Sequence, residues 1–296
     1  MLDLSVIILT YNEERHIARC IDNVKHIAKQ VYVVDSYSTD KTCDIAREHG
    51  AIVLQNKYVN QSQQFIWAMD NCQVQTAWTM RMDADEYLTE KLIDELNKTI
   101  PSLPVTVSGC RFPLVVAFLG RKLKYGKIRK IMILRLWRTG LAQMEQRWMD
   151  ERCYVTEGEV IDLKHEFIDE NLNGLTEWTQ KHNNYANREI VAAYEGAWSD
   201  SVSGGNGLES RNKEKGKYYK LPKFLRAFVY FFVRYICFGG FLDGKPGFIW
   251  ATLQAYWYRF LVDAKIEEME FCIGKNPTPQ EMRTYFKERF NINVDQ

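Results

Sequence analysis

Apolar and polar residues alternate between two periods over the first 100 residues. Four short apolar runs predict buried strands, at residues 4–9, 31–34, 51–54 and 78–82. Helices are predicted between them, over 17–28, from Thr39-Asp40 to His49, and over 61–71. Strands that alternate with helices are typical of a parallel sheet with right-handed crossovers.

The pattern changes twice further along the chain. Residues 105–165 predict more strands, of which 108–116 and 131–137 are the clearest, and residues 166–195 are predicted helical and polar. A Gly/Ser-rich, charged stretch at 199–217 predicts a linker. Two aromatic-rich helices are predicted at 221–238 and 248–262. We therefore expect an α/β domain over 1–198, the linker over 199–217, and a helical region over 218–296.

Composition excludes several classes of protein. The 296 residues are 46% hydrophobic, as in an ordinary globular chain, and 39 basic against 38 acidic residues leave a net charge of +1. Near neutrality argues against a nucleic-acid-binding protein. Seven cysteines without a C-x-x-C pair argue against a disulfide framework or a zinc site. The N-terminus shows no signal-peptide pattern, and no run of about 20 apolar residues occurs, so a cytoplasmic location is expected.

Polar clusters follow three of the predicted strands. TYNEE comes after residues 4–9, DSYSTD begins as residues 31–34 end, and DADE follows residues 78–82. Ligands bind outside the carboxyl ends of strands in open α/β sheets, so the clusters predict a site. Asp83 and Asp85 place two carboxylates one residue apart, which suits Mg²⁺ or Mn²⁺. A lone D-x-D is also common in charged turns, so the prediction of a site rests on all three clusters and their order along the chain.

This ordered set resembles the family 2 glycosyltransferases, which have the nucleotide-sugar-binding fold called GT-A. The resemblance implies an α/β fold with a mostly parallel central sheet flanked by helices, here with a C-terminal α-helical extension. It also implies a UDP-sugar donor and a divalent metal, Mn²⁺ or Mg²⁺, held by Asp85 with Asp83. By the same resemblance, the nucleotide-binding residues are Thr10, Tyr11, Asn12, Glu13, Asp35, Ser38 and Asp83, with Asp35 accepting from the uracil ring.

The resemblance also implies a general base that takes the proton from the acceptor hydroxyl. Asp150 stands where the family has its acidic pair, and Glu151 is the alternative; Asp150 also suits a plain helix cap. Arg135 and Arg138, which belong to the strand predicted at 131–137 or follow it, are candidates for phosphate contact. Trp178, Lys181 and His182 either close over the donor or acceptor or lie on a polar helix face. The Q-x-x-R-W sequence of processive members is absent.

The C-terminal aromatic residues predict contact with a membrane. On a helix over 221–238, Lys220, Lys223, Arg226 and Arg234 share one sector, opposite Phe228 and Phe232. An apolar face with a basic flank is how an interfacial helix lies on an anionic membrane. Aromatic side chains of the next helix, Trp250 and Trp257 among them, suit the headgroup level. The alternative is that both helices pack on the catalytic domain or on a second copy.

The tail (GFLDG, then YRFLVDAK) resembles that of bacterial transferases of the lipopolysaccharide inner core or related lipid-linked glycans. The expected function is therefore inverting transfer of one sugar, glucose first, from a UDP-sugar to a lipid-linked glycan at the inner face of the cytoplasmic membrane. A nucleotidyltransferase and a non-catalytic membrane-peripheral scaffold are the alternatives. The loop TYNEE, acidic and without glycine, disfavours the first. Donor sugar, linkage and oligomeric state stay open.

Overall fold

The computed structural model describes residues 1–126, 131–145, 152–195, 218 and 221–294. The chain divides into two compact units, Met1–Lys124 with Ile128–Asn173, and Tyr125–Lys127 with Gly174–Gln296. The segment 166–195, which the sequence analysis placed wholly in the first domain, is thus divided between the units. The predicted linker, 199–217, lies outside the described residues, and the predicted domain bounds stay a prediction.

The first half of the first unit forms a parallel sheet with alternating helices. Its strands are β1 Leu4–Thr10, β2 Gln30–Asp35, β3 Ile52–Gln55 and β4 Trp78–Asp83, in the order β3-β2-β1-β4. Its helices are α1 Ile17–Val24, α2 Thr42–Glu48 and α3 Gln61–Asn71. All neighbouring pairs among these four strands are parallel. The predicted alternation of strands and helices is confirmed.

The same sheet continues into the second half of the unit. The elements are β5 Glu86–Leu88, α4 Glu90–Thr99, β6 Val107–Phe118, β7 Arg121–Lys122, β8 Ile131–Arg138, β9 Ala142–Met144, β10 Cys153–Val155, β11 Glu159–Asp162 and β12 Phe167–Glu170. After β4 the order is β8-β6-β12-β5, and β8 is antiparallel to both of its neighbours. Strands β11 and β12 pair parallel to β6, while β9 and β10 form a separate hairpin. This mixed, mostly parallel sheet flanked by helices confirms the predicted fold class.

The core explains why the first strand is an unbroken apolar run. Every residue of β1 is buried, because helices or hairpins cover both faces of the sheet. Val6 and Ile8 pack on one face in a cluster that includes α1. Ile7 and Leu9 pack on the other face in a cluster with Phe65 of α3. Burial on both faces removes the alternation that a half-exposed strand shows.

Two predicted helices have different bounds in the structure. The helix expected from Thr39-Asp40 begins at Thr42. Asp40 remains in the preceding loop, because its carboxylate accepts a hydrogen bond from the Thr42 amide at 3.0 Å. The helix expected over 166–195 begins only at Leu175. Residues 167–170 are β12 instead, since pairing with β6 and β5 buries Phe167 and Ile168 completely. Tertiary pairing overrides the local pattern there.

The second unit is helical where it is described. Its helices are α5 Leu175–Glu195, α6 Leu225–Phe232, α7 Gly244–Trp250, α8 Tyr258–Ile273 and α9 Pro279–Phe290. A π-helical turn over Val233–Cys237 extends α6, and another over Ala251–Trp257 joins α7 to α8. No single helix in the described part is long and apolar enough to cross a membrane. The bent pair Leu225–Cys237 and Gly240–Ile273, with 68° between its members, meets the length and composition together.

Candidate functional site

Strand register brings the three polar clusters to one edge of the sheet. Thr10, the last residue of β1, pairs with Asp35, the last residue of β2. On the other side of β1, Leu9 pairs with Asp83, the last residue of β4. The carboxyl ends of three parallel strands therefore stop at one level, and the loops that follow them meet there. The predicted placement of the three clusters at the ends of parallel strands is confirmed.

The loops after β1 and β2 are tied together by hydrogen bonds. The Thr10 hydroxyl donates to Asp35 at 3.0 Å. The Asn12 amide donates to the Ser38 hydroxyl at 2.8 Å, and the Asn12 side chain accepts from the Thr39 amide at 2.8 Å. These bonds fix the backbone of both loops, so residues Thr10, Asn12 and Ser38 shape one rigid corner of the site.

Asp35 is the centre of that corner and is fully buried. Its carboxylate accepts hydrogen bonds from Thr10, from the Ser38 amide at 2.8 Å and hydroxyl, and from Gln55 at 3.1 Å. Burial by itself raises the pKa of Asp35, but the hydrogen bonds from Ser38 and Gln55 outweigh it and hold the pKa below its ordinary value. Asp35 is thus an anion that holds the loop, and its predicted contact with uracil stays a prediction.

Two exposed tyrosines stand beside this corner. Tyr11 is 58% exposed and Tyr37 is 57% exposed, although large aromatic rings are usually covered. Tyr37 and Asn12 both adopt left-handed backbone conformations, with φ of 60° and 54°. A bulky residue with positive φ is rare and costs energy, which the surrounding hydrogen bonds offset. Tyr11 was predicted for the site, whereas Tyr37 was missed, and the rings of both are available to a flat ligand.

Asp83 and Asp85 lie at the end of β4 and are both partly exposed. The Asp83 carboxylate receives a long contact from Arg81 at 3.5 Å and another from Arg135 at 3.3 Å. One carboxylate oxygen of Asp85 accepts from the Asn171 side chain at 3.1 Å. The two acids therefore have different partners, arginines for Asp83 and a neutral amide for Asp85.

Buried Arg135 supports Asp83 from below. It forms an ion pair with Glu86, which is also buried, and the Glu86 carboxylate accepts from the Asp83 amide at 2.9 Å. Burial acts to lower the pKa of Arg135, but the charges of Glu86 and Asp83 raise it overall above its ordinary value. Arg135 was predicted to contact phosphate. In the structure it contacts the two carboxylates and the ring of Phe167, an arrangement that holds Asp83 in place, and its contact with phosphate stays a prediction.

Arg138 is not at this edge, contrary to the prediction. Strand β8 runs antiparallel to β4, and Arg138 pairs with Trp78, the first residue of β4, whereas Asp83 is the last. At about 3.3 Å per residue, the two ends of β4 are roughly 16 Å apart. Arg138 stacks on Trp78 and donates to the Val107 carbonyl at 2.8 Å. It stabilises the opposite end of the sheet.

The segment after β12 borders the site on its other side and was not predicted from the sequence. Arg19 of α1 donates to the Glu170 carboxylate and carbonyl, both at 2.7 Å, and to the Asp85 carbonyl at 3.1 Å. Together with the Asn171 contact, these bonds attach the end of β12 to the turn after β4. Asn171 and Asp85 are 86 residues apart, so no local signal in the sequence pointed to the pair.

Buried His16 links the same segment to the loop after β1. Its Nε2 accepts from the Leu172 amide at 2.7 Å, which places the ring proton on Nδ1. Nδ1 then donates to the Glu13 carboxylate at 2.6 Å. The Glu13 amide in turn donates to Thr42 at the start of α2, at 2.7 Å. Glu13, predicted to shape the nucleotide pocket, is therefore held by both flanks of the site.

A metal site with three protein ligands is not present among the described residues, since no group of three or more His, Cys, Asp or Glu side chains there is arranged to hold an ion. Asp83 and Asp85 nevertheless fit Mg²⁺ or Mn²⁺. These ions use oxygen ligands, keep several waters, and often take only one or two carboxylates together with substrate phosphates. The donor set thus suits a metal that arrives with a nucleotide.

Three predicted site residues belong to the second unit. Trp178 and His182 of α5 are buried and stack on each other with ring centroids 3.5 Å apart. Trp178 packs near Trp250, and His182 packs edge-on against Tyr258 of α8 at 5.7 Å. These two are core residues of the second unit rather than groups poised over a donor. Lys181, the third of the set, is exposed on the same helix.

The predicted basic flank of the membrane helix is also turned inward. Lys223 pairs with Glu267 at 2.9 Å and Glu270 at 2.7 Å, and buried Arg226 pairs with buried Asp263. Arg234 donates to the Gly126 carbonyl at 2.7 Å. These charges bind to acidic residues of α8 and to a nearby backbone carbonyl. A helical projection of 221–238 alone does not include those partners. Phe228 and Phe232 are exposed, as predicted, while Trp250 and Trp257 are partly covered.

The predicted bases, Asp150 and Glu151, lie outside the described residues, as does Lys220. Their assignment rests on the sequence alone and stays a prediction.

Comparison with protein families gives a match over the first unit. Residues 5–149 match the family model described as Glycosyl transferase family 2. This segment, just under half of the chain, therefore matches a glycosyl transferase family 2 domain, which supports the predicted family and enzyme class for residues 5–149. The match includes the three polar clusters, Asp83 and Asp85, and it ends at the residue before Asp150.

Relatives named as glycosyltransferases match a shorter stretch. An "Uncharacterized glycosyltransferase" of Rickettsia typhi is 41% identical over 96 residues, which is 32% of this chain and 32% of that protein. Another of Rickettsia bellii is 42% identical over 93 residues, 31% of each. The chain thus spans about a third of the length of the curated relatives it matches.

Among solved structures, glucosyl-3-phosphoglycerate synthase from Mycobacterium tuberculosis is similar over part of the chain. Its complex with Mn²⁺, UDP and glucosyl-3-phosphoglycerate is 17% identical, with a TM-score of 0.32 over 38% of this chain and 44% of that one. Its complex with Mn²⁺, UDP-glucose and phosphoglyceric acid is 18% identical, with a TM-score of 0.33 over 38% and 43%. At these values the likeness carries no argument about ligands.

Proposed function

We propose that the first unit binds a UDP-sugar at the carboxyl edge of β1, β2 and β4 and transfers its sugar, with inversion, to a lipid-linked glycan. The register that aligns Thr10, Asp35 and Asp83 at one edge, within a glycosyl transferase family 2 domain, is the observation that carries the proposal. Ligands bind at that edge of open α/β sheets, and the loops there are already ordered by hydrogen bonds.

The nucleotide half of the donor occupies the corner formed by the loops after β1 and β2. Tyr11 and Tyr37 offer exposed aromatic faces to the base, and base–aromatic stacking contributes about 1–3 kcal/mol per base. Asp35 keeps the corner rigid and negatively charged, while Asn12 and Ser38 supply polar groups at its rim. The diphosphate then extends toward the end of β4.

The acids at the end of β4 face the diphosphate. Asp85, with Asp83, would hold Mn²⁺ or Mg²⁺, which when bound neutralises the charge that develops on the departing diphosphate. Arg135 and Asn171 hold the two carboxylates in place, so they need not reorganise during the reaction. Asp150, or else Glu151, removes the proton from the acceptor hydroxyl as that oxygen attacks the anomeric carbon, and UDP leaves from the opposite face.

The acceptor is proposed from the second unit. Its sequence resembles the tail of transferases that build the lipopolysaccharide core or similar surface glycans, and its exposed apolar residues suit an enzyme that works beside lipid. We place the protein at the inner face of the cytoplasmic membrane, where a lipid-linked acceptor is reached from the cytoplasm. Glucose is the first donor sugar to test.

A screen of UDP-sugars for UDP release tests the reaction class. We expect one UDP-sugar to be consumed faster than the rest, only with Mn²⁺ or Mg²⁺ present, and faster still when a truncated lipopolysaccharide core is added. Asp85→Asn should reduce turnover by at least about a hundredfold, because an interaction with developing charge is lost. Asp94→Asn, which changes an exposed carboxylate of α4 in the same way, should retain wild-type turnover.

Other outcomes would identify the alternatives. Consumption of UTP with a sugar 1-phosphate, and release of pyrophosphate, would show a nucleotidyltransferase. A protein that neither binds nor hydrolyses any UDP-sugar with either metal would be a scaffold. Full metal-dependent turnover by Asp85→Asn would remove the proposed metal site.

A further inference from the structure

Helix α6 is amphipathic in the opposite sense from a helix of a water-soluble protein. On α6 and the π-helical turn that extends it, apolar side chains recur at spacings of three and four residues, and all are exposed: Leu225, Phe228, Val229, Phe232 and Ile236. Phe228 is 56% exposed and Phe232 is 48% exposed. The residues that α6 buries are Arg226 and Ala227. A surface helix in water turns its apolar stripe to the core and its charges outward.

The bend that follows α6 is apolar as well. Phe238, Phe241 and Leu242 surround the Gly239-Gly240 turn, and all three are exposed. Phe248 of α7 is exposed next, so the outward apolar side chains continue beyond the turn. Turns in contact with water are normally polar, and their tips carry Gly, Asn, Asp or Ser rather than large rings. We call the apolar side chains that residues 225–248 expose the apolar surface.

Most charged groups in this stretch are hydrogen-bonded inside the unit. Arg226 donates to Asp263 from Nε at 2.8 Å, and the same carboxylate accepts from the Phe224 amide at 2.8 Å. Arg234 bonds to the Gly126 carbonyl and to the Tyr230 hydroxyl. Between residues 225 and 248, a range that the structure describes throughout, Lys245 is the one charged residue that is exposed.

Backbone groups at the bend also form hydrogen bonds inside the unit. The Phe238 carbonyl accepts from the Gly126 amide at 3.0 Å, and the Leu242 amide donates to the Gly239 carbonyl at 2.9 Å. Buried Asp243 accepts from the Tyr125 amide at 2.9 Å. Protein in contact with hydrocarbon must pair its backbone and charged groups internally, because no water is available to do so.

From these observations we infer that the apolar surface inserts into the lipid bilayer, with the Gly239-Gly240 bend leading and Lys245 extending its amine to the headgroups. The anchor is apolar insertion rather than attraction of a basic stripe to anionic lipid. A second copy is a poorer occupant, since protein interfaces carry a polar rim and this surface exposes a single charge. The composition of the bent pair Leu225–Cys237 and Gly240–Ile273 agrees with lipid as the occupant. The inference extends the proposed membrane location and does not depend on the proposed reaction.

Flotation of the full-length protein with vesicles tests the anchor. We expect the wild type to float with neutral phosphatidylcholine vesicles in about 0.5 M NaCl, where charges are screened beyond a few ångströms. The double variant Phe232→Glu/Phe241→Glu should reduce the bound fraction by at least about tenfold, because apolar insertion scales with buried apolar area. Phe271→Glu is the matched control, since Phe271 is 91% exposed on α8 outside the apolar surface, and it should float like the wild type.

Three results would overturn the inference. Binding that requires phosphatidylserine and is released by salt would show an electrostatic anchor. Equal loss of flotation in Phe271→Glu would show a general effect of added negative charge. A wild-type dimer that ignores vesicles and is separated by Phe232→Glu/Phe241→Glu would show that a second copy covers the surface. Circular dichroism checks that each variant is folded, and UDP release does not enter the measurement, so failure of the reaction and of the anchor are separable.

Discussion

His182 should make the second unit sensitive to acid without taking part in catalysis. The ring is buried between Trp178 and Tyr258, and its Nδ1–H donates to the Trp178 carbonyl at 2.8 Å. Burial, with a smaller effect of Lys181, lowers the pKa of His182 from 6.5 to about 4. The perturbation we propose is His182→Gln, which keeps a hydrogen-bond donor of similar reach and removes the titration.

The sign and size of the pH effect on the free energy of unfolding follow from the pKa of His182. The folded protein keeps the ring neutral, whereas the unfolded chain takes up a proton as the pH falls below its ordinary value of 6.5. The stabilisation is therefore fully present above that value and is lost as the pH falls toward 4. A difference of two to three pKa units corresponds to about 3 kcal/mol, an upper value for a ring that retains slight exposure.

Urea unfolding at several pH values measures the effect. Near pH 7, His182→Gln should be less stable than the wild type by about 1 kcal/mol, because stacking on Trp178 is lost. Near pH 4.5 the order should reverse, since by then the wild type has lost about 2–3 kcal/mol that the variant never had. His26→Gln, at an exposed histidine, is the control and should follow the wild type at every pH.

Two results would contradict this role of His182. Parallel pH dependence of the free energy of unfolding in His182→Gln and the wild type would show that His182 is not the group responsible. A drop in UDP release of about tenfold or more at neutral pH, with stability nearly unchanged, would instead restore the role in donor or acceptor binding predicted from the sequence. The structure predicts turnover within about twofold of the wild type.

Further expectations concern the supports of the two acids. Asn171→Ala should weaken metal-dependent UDP binding about three- to tenfold, measured by calorimetry, because Asp85 loses a hydrogen bond worth about 1 kcal/mol; an unchanged affinity would contradict it. Arg135→Met should lower stability by about 3–5 kcal/mol in urea unfolding, since it leaves the Glu86 charge buried and unpaired. Arg138→Met should cost less than about 1 kcal/mol and leave turnover intact; equal losses in both variants would refute the separation of their roles.

The main features of the site could be predicted because they depend on local sequence. The change from apolar residues to Asp35 or Asp83 marks the end of each strand. Parallel crossovers then bring successive strand ends to one edge of the sheet, whatever the rest of the chain does. The position of β8 between β4 and β6 could not be predicted in this way. Arg138 was assigned to the wrong end of the sheet for that reason. Arg135 and Glu86 are 49 residues apart, and their pairing depends on that strand order.

The predicted outward orientation of the basic residues of the helix at 221–238 was wrong for a different reason. A helical projection separates Lys223, Arg226 and Arg234 from Phe228 and Phe232, but it does not say which face meets the rest of the unit. Asp263, Glu267 and Glu270 of α8 decide that, because a buried or partly buried arginine or lysine is stable only beside a partner.

Once the basic face is inward, the apolar face has to be outward. The observed orientation of α6 therefore still favours contact with lipid, but the contact is apolar rather than electrostatic. A basic stripe facing outward would bind anionic headgroups and release them in salt. An apolar face that exposes a single lysine gains little from anionic lipid, and salt that strengthens apolar burial should favour its insertion.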